Sequence, residues 1–147
     1  NSVSALIEKT RVKFNEIASM VLIGEENVNN RNVIVVDDLM DTVGTAKKSS
    51  ILLKEKGALT VTFVATHGVL SGNALENIYN SAINDLVISD TVYGTYEKVK
   101  EYNRLYTTPN SLGILPKITI ISCADFLSQT IQRLNSHRSI DELNMVE

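Results

Sequence analysis

The chain is short of cysteine, of proline, of excess positive charge and of long apolar runs, and each shortage narrows what it can be. Its single cysteine, Cys123, has no partner for an internal disulfide, which points to a reducing compartment, by expectation the cytoplasm. With a formal net charge of -3 and a pI near 5.4 it lacks the dense basic face that nucleic-acid binding needs, so no nucleic-acid partner is expected. A small polyphosphate ligand stays compatible with this charge, because a few local donors suffice for one. The longest apolar runs, such as VIVV at 33–36, fall far short of the roughly 18 residues of a membrane span, so no membrane partner is expected. There is no GxxxxGK[ST] phosphate loop, no HExxH and no paired metal-ligand spacing, and no metal site is expected within the chain. Both prolines fall within 92–116, which with two glycines marks that stretch as a loop or an insertion.

What is present suits a folded unit: 147 residues with 44% apolar content predict a single domain with a real core. Residues 20–23, 33–36, 61–65 and 118–121 are β-branched and continuous rather than alternating, which predicts strands buried on both faces. Residues 3–7 and 85–88 are weaker strand candidates, and the polar VNNRN at 28–32 reads as a turn between adjacent strands. A helix is predicted over 44–56, with Ala46, Ser50 and Leu53 on one face and Gly57 as its stop. Ala74, Leu75, Ile78, Tyr79 and Ala82 form a second stripe, and Leu127, Ile131 and Leu134 mark a helix over 124–134. Strands alternating with helices predict an α/β fold, a mainly parallel sheet covered on both sides, with ligands beyond the carboxyl ends of the strands.

The string VIVVDDLMDTVGT, 33–45, carries the chemistry. Asp37 and Asp38 stand where an apolar strand ends, and two adjacent carboxylates there can accept hydrogen bonds from vicinal hydroxyls such as those of ribose. Asp41 is placed to add a contact near the reacting carbon. Thr42, Val43, Gly44 and Thr45 then lead into a helix N-terminus, where free amides and the helix dipole favour an anion and Gly44 allows close approach. Acids for hydroxyls beside amides for phosphate describe a binding loop for a phosphorylated ribose. Taken singly, Asp41 or Thr42 is as well explained as a helix cap and the other acids as solvated side chains.

The string resembles the phosphoribosyl-diphosphate motif of type I phosphoribosyltransferases and, more closely, that of ribose-phosphate pyrophosphokinases. ATHGVLSGNALENI at 65–78, Lys9 and Arg11 with MVLIG at 20–24, LVISDTV at 86–92 and SIDEL at 139–143 are similar to the latter family in the same order. The resemblance covers nearly the whole chain and only the C-terminal half of that family. It implies a single type I phosphoribosyltransferase-like domain over 1–147, from a two-domain enzyme whose N-terminal half is absent; Asn1 in place of Met also predicts a fragment.

The implied activity is transfer of diphosphate from Mg-ATP to the anomeric hydroxyl of ribose 5-phosphate, giving phosphoribosyl diphosphate and AMP. The implied substrate contacts are Asp37, Asp38, Asp41, Thr42, Val43, Gly44 and Thr45, with Lys9 and Arg11 as catalytic cations on a flap that neutralises the transferring phosphoryl group. Mg2+ would arrive with ATP, its ligands mostly outside this chain, and the full protein would be a homo-oligomer, a hexamer built from dimers. The THG turn that holds His67 is implied to be chiefly structural and near the ligand. Where the family uses a second serine and a phenylalanine in a regulatory phosphate site, this chain keeps Ser139 but has Asp141 and Asn144, and an acid there repels phosphate. In YGTYEKVKEYNRLYTT the acids Glu97 and Glu101 dilute Lys98, Lys100 and Arg104, so a partner contact or a plain surface loop is expected there. The alternatives are a noncatalytic regulatory or associated subunit of the same family, and a phosphoribosyltransferase that consumes the same diphosphate.

Overall fold

The computed structural model describes residues 4–13 and 16–144, with the backbone alone for 9–13, 16–20, 25, 142 and 144. Strands β1 (Leu6–Lys13) and β2 (Glu16–Ile23) form an antiparallel hairpin. Strands β3 (Asn32–Met40), β4 (Thr60–Gly68), β5 (Asp85–Ser89) and β6 (Lys117–Ile121) then make a parallel sheet in the order β3-β4-β5-β6. Helices α1 (Gly44–Glu55), α2 (Ala74–Tyr79) and α3 (Thr95–Leu105) are its crossovers, and α4 (Ala124–Asn135) follows β6. The expected α/β class, a mainly parallel sheet flanked by helices, is what the chain adopts.

One core lies between the sheet and its crossovers. Val61, Phe63 and Ala65 of β4 and Leu86 and Ile88 of β5 meet Ala46 and Leu53 of α1, Ile78 of α2 and Val99 and Tyr102 of α3. The predicted face of α1 is the buried one: Ala46, Ser50 and Leu53 are all inside. The helix ends where Gly57, at φ +88, turns left-handed; an added Cβ there would also meet the Asn29 side chain. Ser50 is fully buried because its hydroxyl donates to the Lys47 carbonyl at 2.7 Å and accepts from the Ala82 amide at 3.0 Å.

Four expectations are corrected. The sheet is not covered on both sides among the described residues: on β3, Ile34 and Val36 are 68% and 78% exposed, and on β6 Ile121 is 56% exposed. A continuous β-branched run reports what both faces tolerate, whereas all the crossovers meet in a single core cluster. Residues 20–23 belong to the hairpin rather than the parallel sheet, with Val21 and Ile23 half-exposed, so 28–32 does not join paired strands. The stretch 92–116 holds a helix, α3, whose Thr95, Val99 and Tyr102 are buried at helical spacing. Finally, α4 forms where its pattern predicts but buries none of its residues. The strand candidate at 3–7 begins at Val3, outside the described residues.

The added helix is fastened at both ends. The Tyr102 hydroxyl donates to the Pro116 carbonyl at 3.1 Å inside the core, and Tyr106 stacks on Tyr79 with ring centroids 4.2 Å apart. At the other end the Thr95 hydroxyl lies 3.1 Å from the Gly68 carbonyl and the Lys98 ammonium donates to the Val69 carbonyl. Helix α3 therefore braces the loop between β4 and α2.

Candidate functional site

At the carboxyl end of β3 the sheet face gives way to solvent. Asp37 is half-buried, Asp38 and Asp41 are exposed, and the Asp38 amide donates to Asp37 Oδ1 at 3.0 Å. Thr42 is exposed, Gly44 and Thr45 are partly buried, and the chain enters α1.

The shape of the 41–45 loop comes from its neighbour. The Met40 carbonyl accepts the Leu70 amide at 3.0 Å, the Asp41 carbonyl accepts the Ser71 amide at 3.1 Å, and the Thr42 carbonyl accepts Asn77 Nδ2 at 2.9 Å. Three successive carbonyls thus turn to one side, two toward the β4–α2 loop and the third toward α2 just beyond that loop. Across a planar trans peptide the N–H points opposite to the C=O, so the amides of Asp41, Thr42 and Val43 face away from that loop. They join the first-turn amides of α1, which have no intrahelical acceptor, and no side chain caps this helix. The outcome is a row of outward N–H groups at the positive end of a twelve-residue helix, suited to an anion.

Two residues hold this geometry at a conformational cost. Val43, at φ 62, and Leu70, at φ 49, are left-handed without being glycine, and both side chains are buried, at 4% and 3% exposure. A left-handed residue other than glycine costs on the order of 1–3 kcal/mol, and burial of each side chain in the core offsets it. Val43 therefore offers its backbone alone to a ligand. Gly44 is not left-handed, and a Cβ there would meet only Thr42 Oγ1, at 3.9 Å, so the protein itself leaves its outer side clear.

Sequence reasoning missed two residues here. The Ser71 hydroxyl donates to Asp41 Oδ1, and Asn77 fixes the Thr42 carbonyl. Nothing in the pattern marks either one, because the contacts span 30 and 35 residues. Lys9 and Arg11 lie on β1, in backbone register with Met20 and Ile17; their side chains fall outside the described residues. A cavity of about 840 Å³ runs along β3 beside Ile7, Leu22, Val33 and Leu53 and touches the acidic end only at Asp37, so it is not the anion corner. Among the described residues, no group of three or more His, Cys, Asp or Glu is arranged to hold a metal ion.

On the next strand ends, the Asp90 carboxylate lies below its ordinary range, chiefly because the Ser122 hydroxyl and then the Cys123 amide, at 2.8 Å, donate to it. This ties the end of β5 to the start of α4.

Residues 2–144 match the family described as the phosphoribosyl synthetase-associated domain. A ribose-phosphate pyrophosphokinase from Coxiella burnetii is 40% identical over 139 residues, which cover 95% of this chain and 39% of that protein. Another, from Saccharomyces cerevisiae, is 39% identical over 139 residues, 95% of this chain and 38% of its own length. The crystal structure of phosphoribosylpyrophosphate synthetase from Mycobacterium smegmatis superposes with a TM-score of 0.67 at 28% identity, over 90% of this chain and 37% of that one. The chain therefore spans about two fifths of the length of these relatives.

Proposed function

The chain belongs to the phosphoribosyl synthetase-associated domain family, and on that footing we propose that it supplies the ribose 5-phosphate site and the catalytic flap of a ribose-phosphate pyrophosphokinase. The observation that carries the reading is the outward row of amides at 41–45 directly beside the carboxylates of Asp37 and Asp38. The amides of Thr42, Val43, Gly44 and Thr45 take the 5-phosphate, and Asp37 and Asp38 accept hydrogen bonds from the ring hydroxyls. Asp41, whose carboxylate accepts the Ser71 hydroxyl, is assigned the contact near the anomeric carbon.

In the reaction, the anomeric hydroxyl oxygen attacks the β-phosphorus of ATP and its proton passes to solvent, while the bond from that phosphorus to the AMP oxygen breaks and AMP leaves. Charge grows on the transferring oxygens, and Lys9 and Arg11 are the cations this chain offers to stabilise it. Magnesium arrives with ATP in this reading, its ligands mostly outside this chain. ATP contacts lie mainly in parts of such an enzyme beyond this chain, and the whole enzyme is a cytoplasmic homo-oligomer, a hexamer built from dimers.

Calorimetric titration of the chain with ribose 5-phosphate tests the site. Saturable binding is expected, weakened about tenfold by Asp37→Ala, the loss of one charge-assisted hydrogen bond. No heat at ~1 mM ligand, where even a weak site of about 4 kcal/mol would register, or binding indifferent to Asp37→Ala and Asp41→Ala, overturns the assignment.

A further inference from the structure

The end of β4 carries an irregularity with a specific result. Ala65 pairs with Ile88 but His67 pairs with Ser89, so Thr66 is an extra residue, a bulge of the kind that re-aims the next side chain. The Thr66 carbonyl is met by the Ser89 hydroxyl and by Thr91 Oγ1 at 3.2 Å. The two hydroxyl oxygens lie 2.8 Å apart, and Thr91 Oγ1 lies 2.8 Å from Nδ1 of His67.

Counting protons favours one tautomer of the imidazole. A carbonyl only accepts, so the Ser89 proton, at the closest approach to Thr66, goes to that oxygen. If the single Thr91 proton goes to Ser89, whose oxygen also accepts the Thr91 amide at 3.2 Å, only the 3.2 Å contact of Thr91 with the Thr66 carbonyl has no proton; if it goes to His67, the 2.8 Å contact between the two hydroxyl oxygens has none either. The arrangement with fewer bare oxygen contacts has hydrogen on Nδ1, donating to Thr91, which puts the lone pair of the neutral ring on Nε2. Reversing the relay would leave the Thr66 oxygen facing two hydroxyl oxygens with no proton between them.

The ring so mounted is exposed, and among the described residues nothing hydrogen-bonds Nε2. His67 is in register with Leu39, two residues before Asp41, on strands about 4.8 Å apart. Gly68, the next residue, has no room for a Cβ, which would lie 2.5 Å from Ile88 Cδ1, so the chain is pinned directly behind the ring. We propose that Nε2 of His67 accepts a hydrogen bond from a hydroxyl of the sugar phosphate held at 37–45, as a third oxygen-directed contact beside Asp37 and Asp38. This rests on the ribose 5-phosphate reading of that loop.

Nitrogen-15 correlation spectra of the histidine rings test it, at about pH 9, where a free imidazole is neutral. The expected spectrum has Nδ1 protonated and Nε2 bare, with the signals assigned by their loss in His67→Asn. Saturating ribose 5-phosphate should move Nε2 and leave Nδ1 in place. Thr91→Val should swing the ring toward the Nε2–H tautomer. His67→Asn, which keeps a donor near Thr91 but has no Nε2, should weaken binding about fivefold, the worth of one neutral hydrogen bond. A wild-type ring protonated on Nε2 overturns the inference. So does Asp37-dependent binding that leaves Nε2 unmoved, and in that case the sugar site still stands. Absence of any binding removes both.

Discussion

Replacing Gly68 with alanine should destabilise the chain for want of space rather than for backbone conformation. The added Cβ would stand 2.5 Å from Ile88 Cδ1, 3.2 Å from its Cβ and 3.3 Å from its Cγ1. Ile88 is 1% exposed in the core and is stiff at χ1, so it cannot simply swing aside. Overpacking of this kind costs about 1–3 kcal/mol. Ile88→Val removes only the Cδ1 that makes the shortest contact, and by itself costs about 0.5–1.5 kcal/mol. Together the two should cost less than their sum by about 1 kcal/mol, because the second relieves what the first creates. Relief is partial, since the contacts with the isoleucine Cβ and Cγ1 persist in valine. Urea unfolding of the four chains, followed by circular dichroism, gives this coupling directly. Additive losses, or a harmless Gly68→Ala, would refute the steric account.

Further outcomes follow from single contacts. Ser50→Ala leaves the buried Ala82 amide without an acceptor and should cost about 1–3 kcal/mol in the same unfolding assay. Burial raises the Tyr102 phenol above its ordinary value, so its contribution to stability is complete below about pH 10 and declines as pH rises beyond that. Tyr102→Phe should flatten that alkaline decline in melts taken across pH. Asp90 is shifted the other way, by Ser122 and Cys123, so its contribution holds above the ordinary carboxylate value and fades as pH falls through the lowered one; Asp90→Asn should remove that acid dependence. Ser71→Ala frees the Asp41 carboxylate and should weaken ribose 5-phosphate binding about fivefold by calorimetry, with little change in melting temperature because the site is exposed.

Much of this molecule was legible before its coordinates. Ala46, Ser50 and Leu53 gave α1 its buried face, and DDLMDTVGT announced a strand end passing into a helix start. The failures have local causes. Thr95, Val99 and Tyr102 repeat at helical spacing, but Tyr and Lys alternating through the same stretch, with both prolines after it, hid α3. Ile34 and Val36 read as doubly buried because apolar character says what a face tolerates and not what covers it. The braces at Ser71 and Asn77 were out of reach, because carbonyl direction is set by contacts distant in sequence and not by composition.

The central claim is that the amides of 41–45 receive a phosphate, and a proton–nitrogen spectrum recorded while ribose 5-phosphate is added tests it most directly. Saturable shifts concentrated at Thr42, Val43, Gly44 and Thr45, and weaker with unphosphorylated ribose at equal concentration, are predicted. Shifts that appear elsewhere in the sheet while these four amides stay still would contradict the account.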